Sequence, residues 1–346
     1  MRACIPKNSG RDNSARPQSN PQPATERCGL FVFQGTFSQF RIQDRYQLTN
    51  RSSDLKKHIV FVVNPRAGTR SKAKIEDLLA AHLHPHSVDY YRVVHTEAQG
   101  HATEIAAQAV RDGFDCVVAV GGDGTMNETA SALVGTPTAL GIIPLGSGNG
   151  LARHLGIPLN TVKAIQLLNS PVERIIDSCT LNGKPFFCVA GTGFDAYIGM
   201  KFDQQTTRGF QTYIRTTLQE FLTYQPERYR ISVGSKVYER QAFLVSFANA
   251  GQYGNNAHIS PNADIADGLV DVCLLRPFPA PMAIPMGVQL FGKSLHTSPY
   301  LKVLPVTGVV VERAEAAPVH VDGEPMLMEA RLEVRVNPAS LRVWTG

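Results

Sequence analysis

The stretch from Cys116 to Pro158, CVVAVGGDGTMNETASALVGTPTALGIIPLGSGNGLARHLGIP, constrains this chain more than any other. It opens on Cys116 to Val120, a short apolar run of the length and β-branched content expected of a strand buried on both faces. Gly121, Gly122, Asp123, Gly124 and Thr125 follow at once, and Met126 to Leu133 reads as a helix. A strand that ends in glycines and turns into a helix leaves free backbone N–H groups without side chains over them, which is what a phosphate needs. A second unit of the same kind follows: the apolar strand Ala139 to Pro144, the turn Gly146-Ser147-Gly148-Asn149-Gly150, and a helix start at Leu151. Two such loops on adjacent strand–helix units predict a nucleotide site at the carboxyl ends of parallel strands.

The rest of the chain agrees with an α/β start. Ile59 to Val63 reads as a buried strand, Asn64-Pro65-Arg66-Ala67-Gly68-Thr69 as its turn, and Ser71 to Leu83 as a helix carrying Ile75, Leu78, Leu79 and Leu83 at helical spacing. Val88 to Val94 alternates as a strand, and a helix with Ala102, Ile105, Ala106, Ala109 and Val110 follows. Strand and helix in strict alternation predict a parallel sheet wrapped by helices. After the helix Thr161 to Asn169 the pattern changes. Segments 172–181, 185–190, 228–233, 236–246, 269–275, 300–304, 308–312 and 332–336 read as strands joined by turns, with one helix expected at 208–222. This second half predicts a mainly antiparallel β domain, with a cleft between the two domains. The expected division is a disordered tail over 1–55, a nucleotide domain over 56–175 and a second, mainly β domain that begins at about 176.

Charge and cysteine usage narrow the function classes. Residues 1–57 hold ten Lys/Arg against four Asp/Glu, leaving 24 against 25 in the remainder, so the body is near neutral and a broad nucleic-acid face is excluded. The tail is polar and Pro-rich apart from Leu30 to Phe40, which carries Phe31, Phe33, Phe37 and Phe40. The six cysteines show no C-x-x-C pair or metal spacing, which predicts a reduced, cytoplasmic protein. No apolar run reaches the ~18 residues of a membrane span.

Several side chains are candidates for chemistry. Asp123, flanked by glycines at a strand end, would project into the crevice to orient a metal–nucleotide complex or accept a proton; the plainer alternative is a helix cap. Thr96, at the end of the second strand, is a contact or a cap. Asp195, within Gly191-Thr192-Gly193-Phe194-Asp195-Ala196, is placed at the substrate side of the cleft, or else is a turn aspartate. Asp264, Asp267 and Asp271 are close enough in sequence for Mg²⁺ or Ca²⁺, although the calcium-loop spacing is absent and a solvated turn is the plainer reading. Asp322-Gly323-Glu324 sets two carboxylates around a glycine, suited to a general base with an orienting neighbour or to a hairpin turn with solvated acids.

Taken in order over residues 58 to 346, these motifs resemble the diacylglycerol kinase catalytic-domain superfamily, which also holds sphingosine kinases and bacterial lipid kinases. The resemblance implies a two-domain lipid kinase: an α/β nucleotide domain over 56–175 plus about 338–346, to which a last strand, about Leu341 to Trp344, returns, and a β-sandwich lipid-substrate domain over 176–337. It implies ATP on Asn64, Pro65, Arg66, Ala67 and Gly68, on Thr96, on Gly121, Gly122, Asp123, Gly124, Thr125, Met126 and Asn127, and on Gly146, Ser147, Gly148 and Asn149. It implies a Mg²⁺ site at Asp264, Asp267 and Leu269, and a proton acceptor at Glu324 or Asp322, with Glu324 favoured. In the sphingosine kinase version that role falls to Asp123. The second loop is closer to the sphingosine kinase form, which leaves the acceptor lipid open, and Asn255-Asn256 stand where two glycines are common.

The function expected is therefore transfer of the γ-phosphoryl group of ATP to a lipid hydroxyl by a peripheral protein on the inner face of the membrane. The apolar segment Met282 to Phe291 suits lifting a lipid from a bilayer or, more plainly, ordinary packing. Expected partners are the lipid at the membrane surface and no nucleic acid, and a homodimer is allowed. The rival readings are an NAD kinase-like enzyme and a non-catalytic nucleotide- or lipid-binding module.

Overall fold

The computed structural model describes residues 57–67, 75–203, 217 and 219–346. The expected tail, Gly68 and most of the helix expected at 208–222 lie outside these residues.

The first lobe grows from four parallel strands: β1 (Lys57–Val63), β2 (Val88–His95), β3 (Cys116–Gly121) and β4 (Ala139–Pro144), in the spatial order β2-β1-β3-β4. Alternation along β1 explains how the sheet is covered. Ile59, Phe61 and Val63 face α1 (Ile75–His82) and α5 (Thr161–Leu167), whereas Val60 and Val62 face α2 (His101–Arg111) and α3 (Asp123–Leu133). Strands buried on both sides must be apolar throughout, and every residue of β3 and β4 is buried. Each large side chain buried there stabilises the fold by about 1.5–3 kcal/mol. The chain runs outward from β1 to β2 and then returns to the other side of β1 for β3. That reversal creates a crevice at the carboxyl ends of β1 and β3, the place where open α/β sheets bind ligands.

The second lobe is antiparallel. One sheet has the order β12 (Leu301–Val306), β11 (Val270–Leu275), β10 (Leu244–Ala248), β7 (Val189–Gly193), β14 (Ala317–Val321), β15 (Glu324–Met328). It packs on β5 (Val172–Leu181), β8 (Glu227–Val233), β13 (Gly308–Glu312) and β16 (Arg331–Thr345), with Phe247, Val272, Val319, Tyr229, Val311 and Leu332 in a shared core. Two further strands complete the second layer: β6 (Lys184–Phe186) on β5 and β9 (Lys236–Ala242) on β8.

Strand β16 joins the lobes. Its first part pairs with β13, its last part lies parallel to β4 at Val343, and β5 runs antiparallel along most of its length. A register shift between Asn337 and Leu341, where Ala339 has φ 48°, bends it from one lobe to the other. The ten-stranded sheet is thus continuous past residue 175, which lies inside β5. The remaining helices are α4 (Gly150–His154), α6 (Phe194–Asp203) and α7 (Ala283–Phe291). Among the described residues no helix is long and apolar enough to cross a membrane. Cys116, Cys179, Cys188 and Cys273 are buried free thiols, and burial pushes each of them up, which leaves them inert as nucleophiles.

Candidate active site

Three turns meet at the carboxyl end of the parallel strands. After β1, Asn64 donates its backbone N–H to Val120 O (3.0 Å) and its side-chain amide to Thr125 Oγ1 (3.0 Å), while Arg66 N–H bonds back to Asn64 Oδ1 (2.8 Å). Pro65, Arg66 and Ala67 form that turn, and Ala67 N–H returns to Asn64 O. Thr96 sits one strand over, its N–H on Val63 O (2.9 Å). After β3, Gly121 accepts from Leu145 N–H (2.7 Å), which fastens the first glycine turn to the second. The contact is so close that a Cβ on Gly146 would lie 2.6 Å from Gly122 Cα, and one on Gly121 would strike the Thr125 side chain. Only glycine backbone fits in this cradle.

Asp123 holds the second loop in place. Its Oδ2 accepts from Asn149 N–H (2.9 Å) and its Oδ1 from Gly150 N–H (2.8 Å), so it caps α4 of the neighbouring unit rather than its own helix. A Cβ on Gly148 would sit 2.6 Å from this carboxylate. Burial raises the Asp123 pKa, and the two N–H donors oppose that shift. Asn149, at φ 51°, closes its own loop with an amide bonded to Gly146 in both directions, and Ser147 is left exposed at the tip. The loop rests on the second lobe: Asn255 N–H donates to Gly148 O (3.3 Å), and Gly254 abuts Gly148. Asn255 and Asn256 have φ 49° and 62°, the left-handed conformation that asparagine tolerates better than other residues with side chains, so no glycine is needed there.

The acids of the second lobe face this cradle. Asp322 and Gly323 have φ 48° and 86° and form a two-residue turn between paired Val321 and Glu324, the geometry of a type I′ hairpin. Asp322 is buried and accepts four hydrogen bonds: Oδ2 from Asn127 Nδ2 (2.8 Å) and Phe187 N (3.0 Å), Oδ1 from Cys188 N (2.8 Å) and Val189 N (3.2 Å). Asn127 also donates to Pro185 O (3.0 Å), so its amide bridges the lobes. Met126 is buried in the core, so only its backbone faces the turn. Glu324 is exposed, and its Oε1 fills the space a Cβ on Gly124 would take. Partial desolvation pushes the Glu324 pKa up, and the carboxylates of Glu128, Asp322, Asp123 and Asp203 push it further.

The other expected residues fall elsewhere. Asp195 Oδ2 accepts from Ser246 Oγ (3.0 Å) and Tyr253 Oη (3.0 Å) and lies 3.1 Å from His320 Nε2, a partly buried cluster beneath the hairpin. Asp264 and Asp267 each turn one oxygen onto the N–H two residues on, of Ala266 (3.0 Å) and Leu269 (2.9 Å). Asp271 accepts from Ser260 Oγ (2.6 Å). The loop is fastened by buried Asp177, which accepts from Gly268 N and Ala339 N, both at 2.7 Å. Among the described residues no three His, Cys, Asp or Glu side chains converge as metal ligands. The donors of this loop are hard oxygens, the chemistry Mg²⁺ prefers.

Asp177, Glu128, Tyr253 and His320 were not singled out from sequence. Glu128 caps α2 through Gly100 N (2.8 Å) and Ala102 N (3.2 Å), 28 and 26 residues away, and no local pattern marks it. His320 carries only a weak local signal: it lies on β14, two residues before the Asp322 turn.

Comparison with known proteins agrees with this architecture. The model of the diacylglycerol kinase catalytic domain matches residues 58–181, and that of the YegS C-terminal NAD kinase beta sandwich-like domain matches residues 188–345. A Pseudomonas aeruginosa protein named "Probable lipid kinase YegS-like" is 34% identical over 252 residues, covering 72% of this chain and 82% of that protein. A Mycobacterium tuberculosis protein named "Diacylglycerol kinase" is 31% identical over 227 residues, 63% of this chain and 73% of its own length. The crystal structure of a diacylglycerol kinase from Bacillus anthracis shares the fold, with a TM-score of 0.65 at 21% identity, covering 84% of this chain and 97% of that one. Two lobes, paired glycine turns and these relatives together place the chain in the YegS-like lipid kinase family, built on the diacylglycerol kinase catalytic domain.

Proposed function

We propose that this lipid kinase moves the γ-phosphoryl group of ATP onto a lipid hydroxyl, with Glu324 as the proton acceptor. One observation carries the reading: the Glu324 carboxylate stands directly over Gly124, at the mouth of a cradle in which only glycine backbone fits. Asn64 to Gly68, Thr96, Gly121 to Asn127 and Gly146 to Asn149 would hold the nucleotide, chiefly through backbone N–H groups. Of the three candidate acids, Asp322 already accepts four hydrogen bonds and Asp123 is engaged by Asn149 and Gly150, which leaves Glu324 in reach of a hydroxyl. Its raised pKa makes it a stronger base toward a hydroxyl proton than an ordinary carboxylate.

Four carboxylates that repel Glu324, set beside a polyphosphate, favour a counter-cation, which supports Mg²⁺ entering with ATP. When bound, Mg²⁺ neutralises charge on the phosphoryl oxygens. A second Mg²⁺ would be held at the 264–269 loop by the remaining oxygens of Asp264 and Asp267 with Leu269 as the backbone contributor. Asp195, beneath the hairpin, is assigned to the lipid side of the cleft. A diacylglycerol or a sphingoid base is the acceptor class, met by a peripheral protein at the inner face of the membrane. Purified protein with labelled ATP and Mg²⁺, offered diacylglycerol, sphingoid bases, acylglycerols and NAD, tests the reading. A phosphorylated lipid is expected; labelled NADP, or no product with any acceptor, overturns it.

A further inference from the structure

Residues 272 to 311 contain Arg276, Lys293 and Lys302 but no Asp or Glu, and the run from Pro277 to Gly292 within them carries no charge at all. A segment so free of charge is ordinarily buried. Here it is not. Helix α7 exposes Ile284 (76%), Val288 (69%) and Phe291 (48%), spaced four and three residues apart and therefore on one face, while Met286 on the opposite side is buried. Pro277, Pro279, Ala280, Pro281 and Pro285 are exposed beside it. The patch extends past the helix. Phe221 packs on Phe278 with ring centres 5.5 Å apart, and the next residue, Leu222, is 74% exposed. Arg276, Lys293, His296 and Lys302, all exposed, flank this surface.

We propose that the α7 face is a membrane-docking surface, in which Ile284, Val288 and Phe291 enter the interfacial layer of an anionic bilayer while Arg276 and Lys293 meet its headgroups. The occupant follows from the charge pattern: an apolar face whose flanking charges within residues 272–311 are all cationic is complementary to acyl chains beneath negative headgroups. A second copy of the chain would bring the same cations to the same contact. The proposal deepens the lipid-kinase reading by naming the surface through which the enzyme reaches its substrate, but it can be measured with no catalysis involved.

The test is co-sedimentation of the full-length protein, without nucleotide, with vesicles of phosphatidylcholine alone or with phosphatidylglycerol, neither containing diacylglycerol or sphingoid bases. The protein is expected to partition onto the anionic vesicles. The Ile284→Asn/Val288→Asn variant should lose binding by on the order of tenfold per side chain. Arg276→Gln/Lys293→Gln should lose about fivefold per charge on anionic vesicles and nothing on phosphatidylcholine. The basic tail is common to every variant, so the differences report the α7 face. Unchanged partition of the asparagine variant, with its unfolding midpoint intact, overturns the proposal. So does conversion of a dimer to a monomer by that variant with vesicle binding unaffected, which assigns the face to a second copy. Because no phosphoryl transfer is read, failure here leaves the kinase reading standing, and failure of the acceptor assay leaves this one.

Discussion

Asn127, on a helix of the parallel lobe, donates its side-chain amide to buried Asp322 at the hairpin of the antiparallel lobe, 2.8 Å away. The bond sets the distance between the glycine cradle and the acids that face it. Asp322→Asn keeps the size but replaces an acceptor oxygen with an NH₂ group, which must then confront two of the four donors now satisfied. Leaving buried donors unmet costs about 1–3 kcal/mol each. The variant is expected to unfold several degrees lower and to lose activity even below its unfolding temperature. An unchanged melting curve would show that the bridge is not what holds the lobes in register.

Glu324 should govern the pH dependence of turnover. A general base must be ionised, so kcat/KM should rise with pH along a limb whose midpoint lies above the ordinary glutamate range, because desolvation and four neighbouring carboxylates raise the Glu324 pKa. The linkage has the matching sign: the native carboxyl keeps its proton to higher pH than the unfolded chain does, so its ionisation subtracts stability as pH rises through that window. Glu324→Gln should abolish the limb together with the activity. Glu128→Gln removes one repelling charge and should move the limb to lower pH. A limb that Glu128→Gln leaves in place would assign the titration to another group.

Asp123→Asn tests a positioning role. The wild-type carboxylate receives Asn149 N–H and Gly150 N–H on separate oxygens, and an amide can receive only one of them. The loss resembles removal of a helix cap, about 1 kcal/mol of stability. Displacement of the second glycine loop should be far more costly to catalysis, about 10²-fold in kcat/KM, since misplacement by an ångström is enough. The lipid, proposed to bind the other lobe, should still bind. Equal loss of lipid binding and turnover would mean that the whole cleft had collapsed.

The sequence was most readable where physics is local. Strands β3 and β4 are continuous apolar runs bounded by glycine, and β5 matches its expected span, 172–181, because strand period and turn residues lie within a few positions of each other. The two stretches read separately at 332–336 and 341–344 are one strand, β16, because the break at Asn337-Pro338-Ala339 looks like a loop in one dimension and is a bulge in three. The site divides the same way. Gly121 to Gly124 and Gly146 to Gly150 announce themselves, since close approach demands glycine. The bonding of Asp322 does not: its partners lie 133 to 195 residues away, and a hairpin turn with solvated acids fits the local sequence equally well. Burial distinguishes Asp322 from Glu324, and burial at a hairpin depends on what the rest of the fold lays over it.

Two alanine substitutions separate the architecture of the cradle from its chemistry. A Cβ on Gly146 would meet Gly122 Cα at 2.6 Å and Asn149 Oδ1 at 2.9 Å, a conflict of backbone with backbone that no rotamer relieves. Gly146→Ala should therefore cost about 1–3 kcal/mol and, by prising the two glycine turns apart, about 10²-fold in kcat/KM. On Gly124 a Cβ would meet only the Glu324 carboxyl group, the far end of a flexible side chain, and nothing in the backbone within 4 Å. Gly124 lies in the first turn of α3, where alanine favours the helix by up to about 1 kcal/mol relative to glycine. Gly124→Ala should then melt at the same temperature as the wild type or slightly above it, yet lose turnover, because Glu324 has been pushed from its place over the cradle. Thermal unfolding and steady-state kinetics on the pair decide the matter. If Gly124→Ala remains fully active, Glu324 is not the group that takes the proton, and the base must be sought elsewhere in the cleft.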